Sequence, residues 1–448
     1  MTIASIRRDT GQVIYLSLGS NTGDRLENLR RALRCVEQRC LTHVKTSIVL
    51  ETKAILPPDA PQEWDRPYLN MIVCGESSLS PKQLLASLQQ IELEMGREKD
   101  HLHWSPRTID IDILLYNDLC LATDSLQVPH LELLNRPFFL HLLALLNPLL
   151  KHPGNHLPFE LLAQQAADTD VFIRSLCLAP KFVGVVNVTP DSFSDGGEHD
   201  STQAALTHAE RLLDEGASVI EFGAQSTRPG SQQMGAAYEL QRLEPILDLW
   251  YAHPKLKSIP VSIDTYWPEV MIKLVENYPI AWINDVKCQL DKGTLKIIAN
   301  AGCSICVMHS LSVPPQRDLH LPLEDLPMAH IEQWFAPLLE KLQACGFERS
   351  SIIFDPGLGF GKTMFQNWAL LRQIERMKQW GCPILIGHSR KSFYNAVCKE
   401  NFAQRDVETL AVSSCLQPFN VDYLRVHNVQ MHQRFFSTQH CLNSYYAN

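Results

Sequence analysis

The sequence predicts an α/β protein in two parts, an N-terminal α+β domain followed by a TIM (β/α)8 barrel. Three observations carry this expectation. At 448 residues the chain is longer than one hydrophobic core comfortably serves. After position 180, eight β-rich runs recur with helical stretches between them, and roughly 270 residues suit a barrel whose usual length is ~250. Nearly every run ends in a side chain able to donate, accept or bind metal, at the position where barrel enzymes keep their active groups.

Composition removes several classes before any motif is read. Hydrophobic residues make up 45% and charged residues 20%, as in ordinary soluble proteins, so collagen-like, low-complexity and wholly disordered chains are excluded. Lys+Arg number 40 against 49 Asp+Glu, a net charge of −9, without the broad positive field of a non-specific nucleic-acid binder. The densest apolar stretch, Phe138 to Leu150, is broken by His141 and Asn147 and falls short of the ~20 residues that cross a bilayer. It reads as a buried helix, and no membrane partner is expected. Thirteen scattered cysteines, with no apolar signal segment in the opening Met-Thr-Ile-Ala-Ser-Ile-Arg-Arg, predict reduced thiols and a cytoplasmic protein. Cys303 and Cys306 form a lone C-x-x-C in a β-branched run and read as strand packing rather than a zinc site.

In chain order, Val13 to Leu18 is an apolar strand, Gly19-Ser-Asn-Thr-Gly-Asp24 turns, and Leu26 to Val36 is helical. Leu85, Leu88, Ile91 and Met95 have helical spacing, and Thr108 to Tyr116 alternates as a strand. Residues 151–178 are polar and irregular around Pro153, Gly154 and Pro158. These features place one domain at 1–172, a linker at 173–180 and the barrel at 181–448. The barrel runs are Phe182–Val188, Ser218–Gly223, Ile259–Asp264, Trp282–Val286, Ser304–His309, Ser351–Pro356, Pro383–Ser389 and Tyr423–Val429. Little chain follows the last run, so the eighth helix is expected to be short.

The first chemical constellation lies in the N-terminal domain. A period of two puts Asp110 and Asp112 on one face of their strand, roughly 6–7 Å apart, with Ile109, Ile111 and Ile113 on the other. Hard divalent cations fit between two such carboxylates and would offset the charge of a triphosphate. A solvated edge strand shows the same alternation, but Arg97, Lys99 and Arg107 just upstream supply the phosphate contacts that such a strand has no use for. Gly19-Ser-Asn-Thr-Gly23 lacks the ending of a P-loop. Pro356-Gly-Leu-Gly-Phe-Gly-Lys362-Thr363 has that ending but a proline in place of the first glycine, so a nucleotide loop is rejected there too.

Arg97…Trp104-Ser-Pro-Arg107-Thr-Ile-Asp110-Ile-Asp112, with Leu16-Ser-Leu-Gly-Ser-Asn21, Tyr68-Leu-Asn70 and Pro129-His130…Asn135-Arg136, resembles 6-hydroxymethyl-7,8-dihydropterin pyrophosphokinase over residues ~12–172. The resemblance implies a ferredoxin-like fold, transfer of diphosphate from the substrate ATP to the pterin hydroxyl, and two magnesium ions on Asp110 and Asp112. It implies Arg97 and Arg107 as phosphate clamps, and Glu92, Asn70 and Phe138 at the pterin. His130 and Arg136 fall near the nucleotide and Trp104 on a closing loop. Leu131 stands where the family usually has tyrosine, Lys99 and His103 replace further arginines, and the Thr52-to-Asn70 loop is long.

The second constellation lies at the strand ends of the barrel. Asn187-Val-Thr-Pro-Asp-Ser-Phe-Ser-Asp-Gly-Gly197, Ser226-Thr227-Arg228-Pro-Gly230, Asp355-Pro-Gly-Leu-Gly-Phe-Gly361, Ser389-Arg-Lys391-Ser and Arg425-Val-His427 resemble dihydropteroate synthase over residues 178–430. This resemblance implies condensation of a pterin diphosphate with p-aminobenzoate, releasing pyrophosphate. The residues read directly agree. Asp264, Asn284 and Asp355 can accept from the donor edge of an aminopterin ring, with Lys391 on its carbonyl side and Met308 beside them. Asn187, Thr227, Arg228, Arg425 and His427 gather donors around one anion, with one magnesium ion on Asn187. Phe360, Pro229 and Ser389 could hold the aryl amine. Glu221 replaces an expected aspartate, Ala224-Gln225 an expected Gly-Glu, and Ser310-Leu311 an expected Met-Gln.

Together the readings imply adjacent folate-pathway steps on one chain, acting on small molecules. The alternatives are a pterin-dependent methyltransferase-like barrel, which has no use for a diphosphate site, and a pterin-binding scaffold that has lost turnover.

Overall fold

The computed structural model describes residues 12–57, 59–97, 104–166, 172–176, 178–188, 198–225, 235–316, 318–323, 325–399 and 401–444. Contacts divide the chain into two compact units, 1–178 with 436–448, and 179–435.

In the first unit the elements run β1 (Gln12–Ser20), α1 (Arg25–Arg39), β2 (Thr42–Thr46), β3 (Val49–Thr52), β4 (Tyr68–Ser77), α2 (Pro81–Glu94), β5 (Asp110–Tyr116), the short pair β6 (Leu121–Ala122) and β7 (Gln127–Val128), α3 (Pro137–Leu146), α4 (Phe159–Gln165) and β8 (Phe172–Leu176). The main sheet is antiparallel in the order β5-β1-β4-β3-β8, with β2 also paired to β4. Alternation along β1 sends Ile14, Leu16 and Leu18 to one face, where they pack with Leu29, Leu33 and Val36 of α1 and Leu84, Leu88 and Ile91 of α2. Tyr15 faces the other way and joins Leu50, Ile72 and Leu114 beneath Phe138, Phe139 and Leu142 of α3 and Phe159 of α4. The Asp24 side chain accepts from the Glu27 N–H and caps α1, and a Ser80/Gln83 capping box opens α2.

The second unit contains the predicted barrel. Its strands are β9 (Lys181–Asn187), β10 (Val219–Gly223), β11 (Val261–Asp264), β12 (Trp282–Asp285), β13 (Ser304–Met308), β14 (Ile352–Asp355), β15 (Leu385–Ile386) and β16 (Tyr423–Val426). All pair in parallel, and a Phe354–Ile384 bridge closes β14 on the start of β15. Val183, Val219, Trp282, Cys306, Ile353 and Leu385 fill the interior. The helices are α5 (Glu198–Asp214), α6 (Ala236–Ala252), α7 (Pro268–Asn277), α8 (Lys292–Asn300), α9 (Pro327–Ala344), α10 (Met364–Leu371), α11 (Ile374–Lys378), α12 (Asp406–Leu416) and α13 (Val429–Ser444). Among the described residues no helix is long and apolar enough to cross a membrane, and the described cysteines are free thiols.

Three expectations need correction. Residues 173–176 of the predicted linker belong to β8, which pairs with β3 and places Arg174 at 2.5 Å from Glu51; the division of the chain falls after Leu178. The short run Phe172-Ile-Arg-Ser-Leu176 lacks a period-two alternation, so the polar text around it left no strand signal to read. The last helix is not short, since α13 runs for 16 residues, and residues 436–448 group with the first unit instead of the barrel. The seventh β run narrows to two residues, because Gly387 and the residues after it turn over the rim.

Candidate functional site

The N-terminal site is the half of one sheet face that α3 and α4 leave uncovered. Register sets Ser17 opposite Asp112 and Gly19 opposite Asp110 on β5, and Gly19 opposite Asn70 on β4. The residues that continue this face from the apolar half are therefore Ser17, Gly19, Tyr68, Asn70, Asp110, Asp112 and Thr52. They line a cleft with Phe138, Trp104, Arg107 and Arg136. A methyl on Gly19 would lie 3.0 Å from Asn70 Oδ1, so glycine is what lets the amide lie across β1. Asn70 Nδ2 in turn donates to Thr52 Oγ1 at 2.9 Å.

A second cleft adjoins it, lined by Arg97, Trp104, Arg107, Asp110, Asp112, His130, Leu131, Glu132 and Arg136. Arg97 donates to Asp110 Oδ1 at 2.8 Å and Arg107 to the same oxygen at 3.1 Å, so both expected clamps meet at one carboxylate. Burial and then the neighbouring Asp110 charge raise the Asp112 carboxyl above its ordinary range. A pair of hard oxygen donors whose ionisation is opposed in this way suits a divalent cation. His130 Nε2 lies 3.8 Å from Asp112, and burial together with Arg136 lowers its pKa. Its Nδ1 accepts from the Glu132 N–H, which turns the ring toward Asp112.

Glu92 differs from its expected place at the pterin. Its carboxylate accepts from the Ile111 N–H at 2.8 Å and pairs with Arg97, and it is not on either cleft wall. It ties α2 to β5 and aims Arg97. Lys99 and His103 lie outside the described residues.

The barrel site is built from strand ends. Asp264 ends β11 and accepts from Asn284 Nδ2 of β12 at 3.1 Å. Among the described residues the buried Asn284 Oδ1 has no hydrogen-bond partner, an acceptor without a donor. Burial and then Glu221 push the Asp264 carboxyl up. Asp355 ends β14 and accepts from the Gly357 N–H at 2.8 Å, while Met308 closes β13 beside Tyr266, Val286 and Phe360. Lys391 donates to Leu358 O at 2.7 Å and lies 4.5 Å over the Phe360 ring; burial lowers it to about 8. Ser389 and His427 meet at 2.9 Å between Oγ and Nδ1. Asn187 is exposed at the end of β9, and a methyl on Gly223 would touch both it and Asp264. Thr227 and Arg228 lie outside the described residues.

Arg425 is less free than its expected role at an anion suggests. Glu221 holds its Nη2 at 2.6 Å and also accepts from Ser262 Oγ at 3.1 Å, although among the described residues the buried Arg425 Nε has no partner. The residue noted in the sequence only as a replaced aspartate is thus the anchor of a predicted anion-binding arginine.

A family profile described as "Pterin binding enzyme" matches residues 183–427, and one described as "7,8-dihydro-6-hydroxymethylpterin-pyrophosphokinase (HPPK)" matches residues 15–148. The chain is 39% identical to the folate synthesis bifunctional protein of Chlamydia caviae, across 96% of this chain and 98% of that one. This chain belongs to the bifunctional folate-synthesis proteins.

The bifunctional chain is a transferase that joins a pyrophosphokinase domain to a dihydropteroate synthase barrel. The barrel resembles solved dihydropteroate synthases. One from Anaplasma phagocytophilum, with bound 6-hydroxymethylpterin-monophosphate, is 31% identical with a TM-score of 0.53 and covers 59% of this chain and 99% of its own. One from Xanthomonas albilineans, with 4-aminobenzoic acid, is 32% identical with a TM-score of 0.53 and covers 60% and 96%. Among the residues of the folate-synthesis chain that escaped sequence reasoning as members of its sites are Ser17, Tyr68 and Thr52, which line the first cleft, and Glu221. For Tyr68 the signal was present, two positions before Asn70 on the same face.

Proposed function

We propose that the two sites work in sequence on one pterin. The first moves a diphosphate from ATP to 6-hydroxymethyl-7,8-dihydropterin, and the second joins the pterin diphosphate to p-aminobenzoate with release of pyrophosphate. The reading is carried by the complementary chemistry of the two sites. In the first, Asp110, one carboxylate of a pair, is met by two arginines at 2.8 and 3.1 Å. In the second, Asp264, Asn284 and Asp355 converge as acceptors beside Lys391 and Arg425.

In the first step Asn70 and Phe138 hold the pterin in the uncovered half-face. Arg97 and Arg107 exchange Asp110 for phosphate oxygens, and His130 and Arg136 receive the rest of the nucleotide. Trp104 closes over both. Asp110 and Asp112 would hold two magnesium ions, which offset triphosphate charge and stabilise in-line displacement when bound. The pterin hydroxyl attacks the β-phosphorus, loses its proton and expels AMP.

In the second step Asp264, Asn284 and Asp355 accept from the pterin's amino edge while Lys391 donates to its carbonyl side. Arg425, His427, Thr227 and Arg228 take the diphosphate; Asn187 would hold one further magnesium ion, which would offset charge on the diphosphate when bound. The bond from the pterin methylene to oxygen breaks, the aryl amine held by Phe360 and Ser389 attacks that carbon, and the amine proton leaves. A methyl-transferring barrel leaves these anion-binding residues without a task.

Asp110→Ala is expected to abolish AMP release and leave dihydropteroate formation from supplied pterin diphosphate intact, and Lys391→Ala is expected to do the reverse. Chromatographic separation of products from ATP, magnesium, hydroxymethyl-dihydropterin and p-aminobenzoate checks both. Loss of both activities in either variant contradicts separate sites.

A further inference from the structure

The P-loop-like ending Gly361-Lys362-Thr363 has no nucleotide to bind, yet the Lys362 side chain is buried. Its Nζ reaches the carbonyl oxygens of Gly357, Phe360 and His309 at 2.9, 3.0 and 3.1 Å and the His309 Nδ1 at 2.9 Å. Burial and the ammonium itself hold His309 down to about 3, so its ring is neutral and its Nδ1 accepts. No carboxylate is among the hydrogen-bond partners of Lys362 in the described residues. The ammonium is therefore balanced by carbonyl dipoles from two loops, one leaving β13 and one leaving β14.

We infer that Lys362 is a positioning residue for p-aminobenzoate: it fastens the 357–361 loop to the exit of β13 and so sets the place of the Phe360 ring. The two ends of that loop are held differently. Asp355 is fixed by the sheet, since Met308 pairs with it and the His309 N–H donates to its carbonyl at 3.1 Å. Phe360 lies beyond the ladder, and its carbonyl is held by Lys362. Gly357 and Gly359 take φ of +65° and +81°; the Phe360 N–H donates to the Gly357 carbonyl at 3.1 Å and the Gly359 N–H to Asn367 Oδ1 at 2.8 Å, which shape the loop, whereas Lys362 is what joins it to the exit of β13. Loss of the ammonium should therefore displace Phe360 more than Asp355. The groups facing Lys362 are Asp355, Lys391 and His309, with His330 beyond His309; burial lowers Lys362 itself to about 7.

The inference rests on the reading that Phe360 holds the aryl amine, and Phe360→Ala tests that reading separately. In the full chain, Lys362→Met is expected to raise KM for p-aminobenzoate about tenfold while KM for pterin diphosphate changes less than about twofold. AMP release from the same preparations reports an intact N-terminal domain. Lys362→Arg keeps the charge and is expected to restore most of the affinity. If Phe360→Ala leaves KM for p-aminobenzoate unchanged, the aryl-amine reading fails. If Phe360→Ala raises that KM and Lys362→Met does not, or Lys362→Met raises both constants equally, the positioning role is overturned.

Discussion

Single residues in this protein are governed by what burial does to charge. Glu239 on α6 is buried, with one carboxylate oxygen accepting from Thr265 Oγ1 at 2.6 Å and the other without a partner among the described residues. Burial pushes it from 4.5 to about 7, against the opposing pull of the Thr265 hydroxyl and Lys287. The folded barrel thus keeps a proton that the unfolded chain has released, and stability falls as pH rises between those values. Glu239→Gln mimics the protonated group, so its urea midpoint is expected to vary less than wild type from pH 4.5 to 7. Equal slopes in the two proteins would remove Glu239 as the cause. The sequence shows that such a glutamate exists but not that it is buried, because burial is decided by what α6 packs against.

At the scale of elements, the sites are made where regular structure stops. The carboxylates of β5 face a cleft because α3 covers only the apolar half of the sheet, ending its contact where Tyr15, Ile72 and Leu114 give way to Ser17, Asn70 and Asp112. The loop after β14 is equally exact in its demands. A methyl on Gly357 would sit 1.9 Å from the His309 carbonyl oxygen at φ +65°. The left-handed backbone alone costs an L-residue about 1–2 kcal/mol, and the collision adds to it. Gly357→Ala is expected to lose dihydropteroate formation while keeping AMP release, read from the same product separation. Retained synthase activity would mean that the β13 and β14 loops part easily.

For the whole molecule, two compact units with separate cores imply two catalysts that depend on one another only through the intermediate. Mixing Asp110→Ala and Lys391→Ala chains is expected to restore conversion of ATP, pterin and p-aminobenzoate to dihydropteroate, because each supplies the step the other lacks. Failure of the mixture with both single activities present would mean that the intermediate does not pass through solution. Sulfonamides, as p-aminobenzoate analogues, are expected to slow the second step and leave AMP release unchanged; slowed AMP release would count against the assignment of the aryl-amine pocket to the barrel.

The sequence by itself determined the two-part architecture, the barrel, the shared face of Asp110 and Asp112, and the chemistry at the strand ends. Those features are periodic or local, written in alternation, in helical spacing and in which residue closes each run. Tertiary structure alone decided that Glu92 pairs with Arg97 from behind β5, that Glu221 anchors Arg425 across the barrel, that residues 172–176 complete the first sheet, and that a rejected P-loop lysine ties the 357–361 loop to the exit of β13. Each depends on which distant segments meet, at separations of up to 204 residues, and a buried charge finds its partner only after the backbone has folded around it.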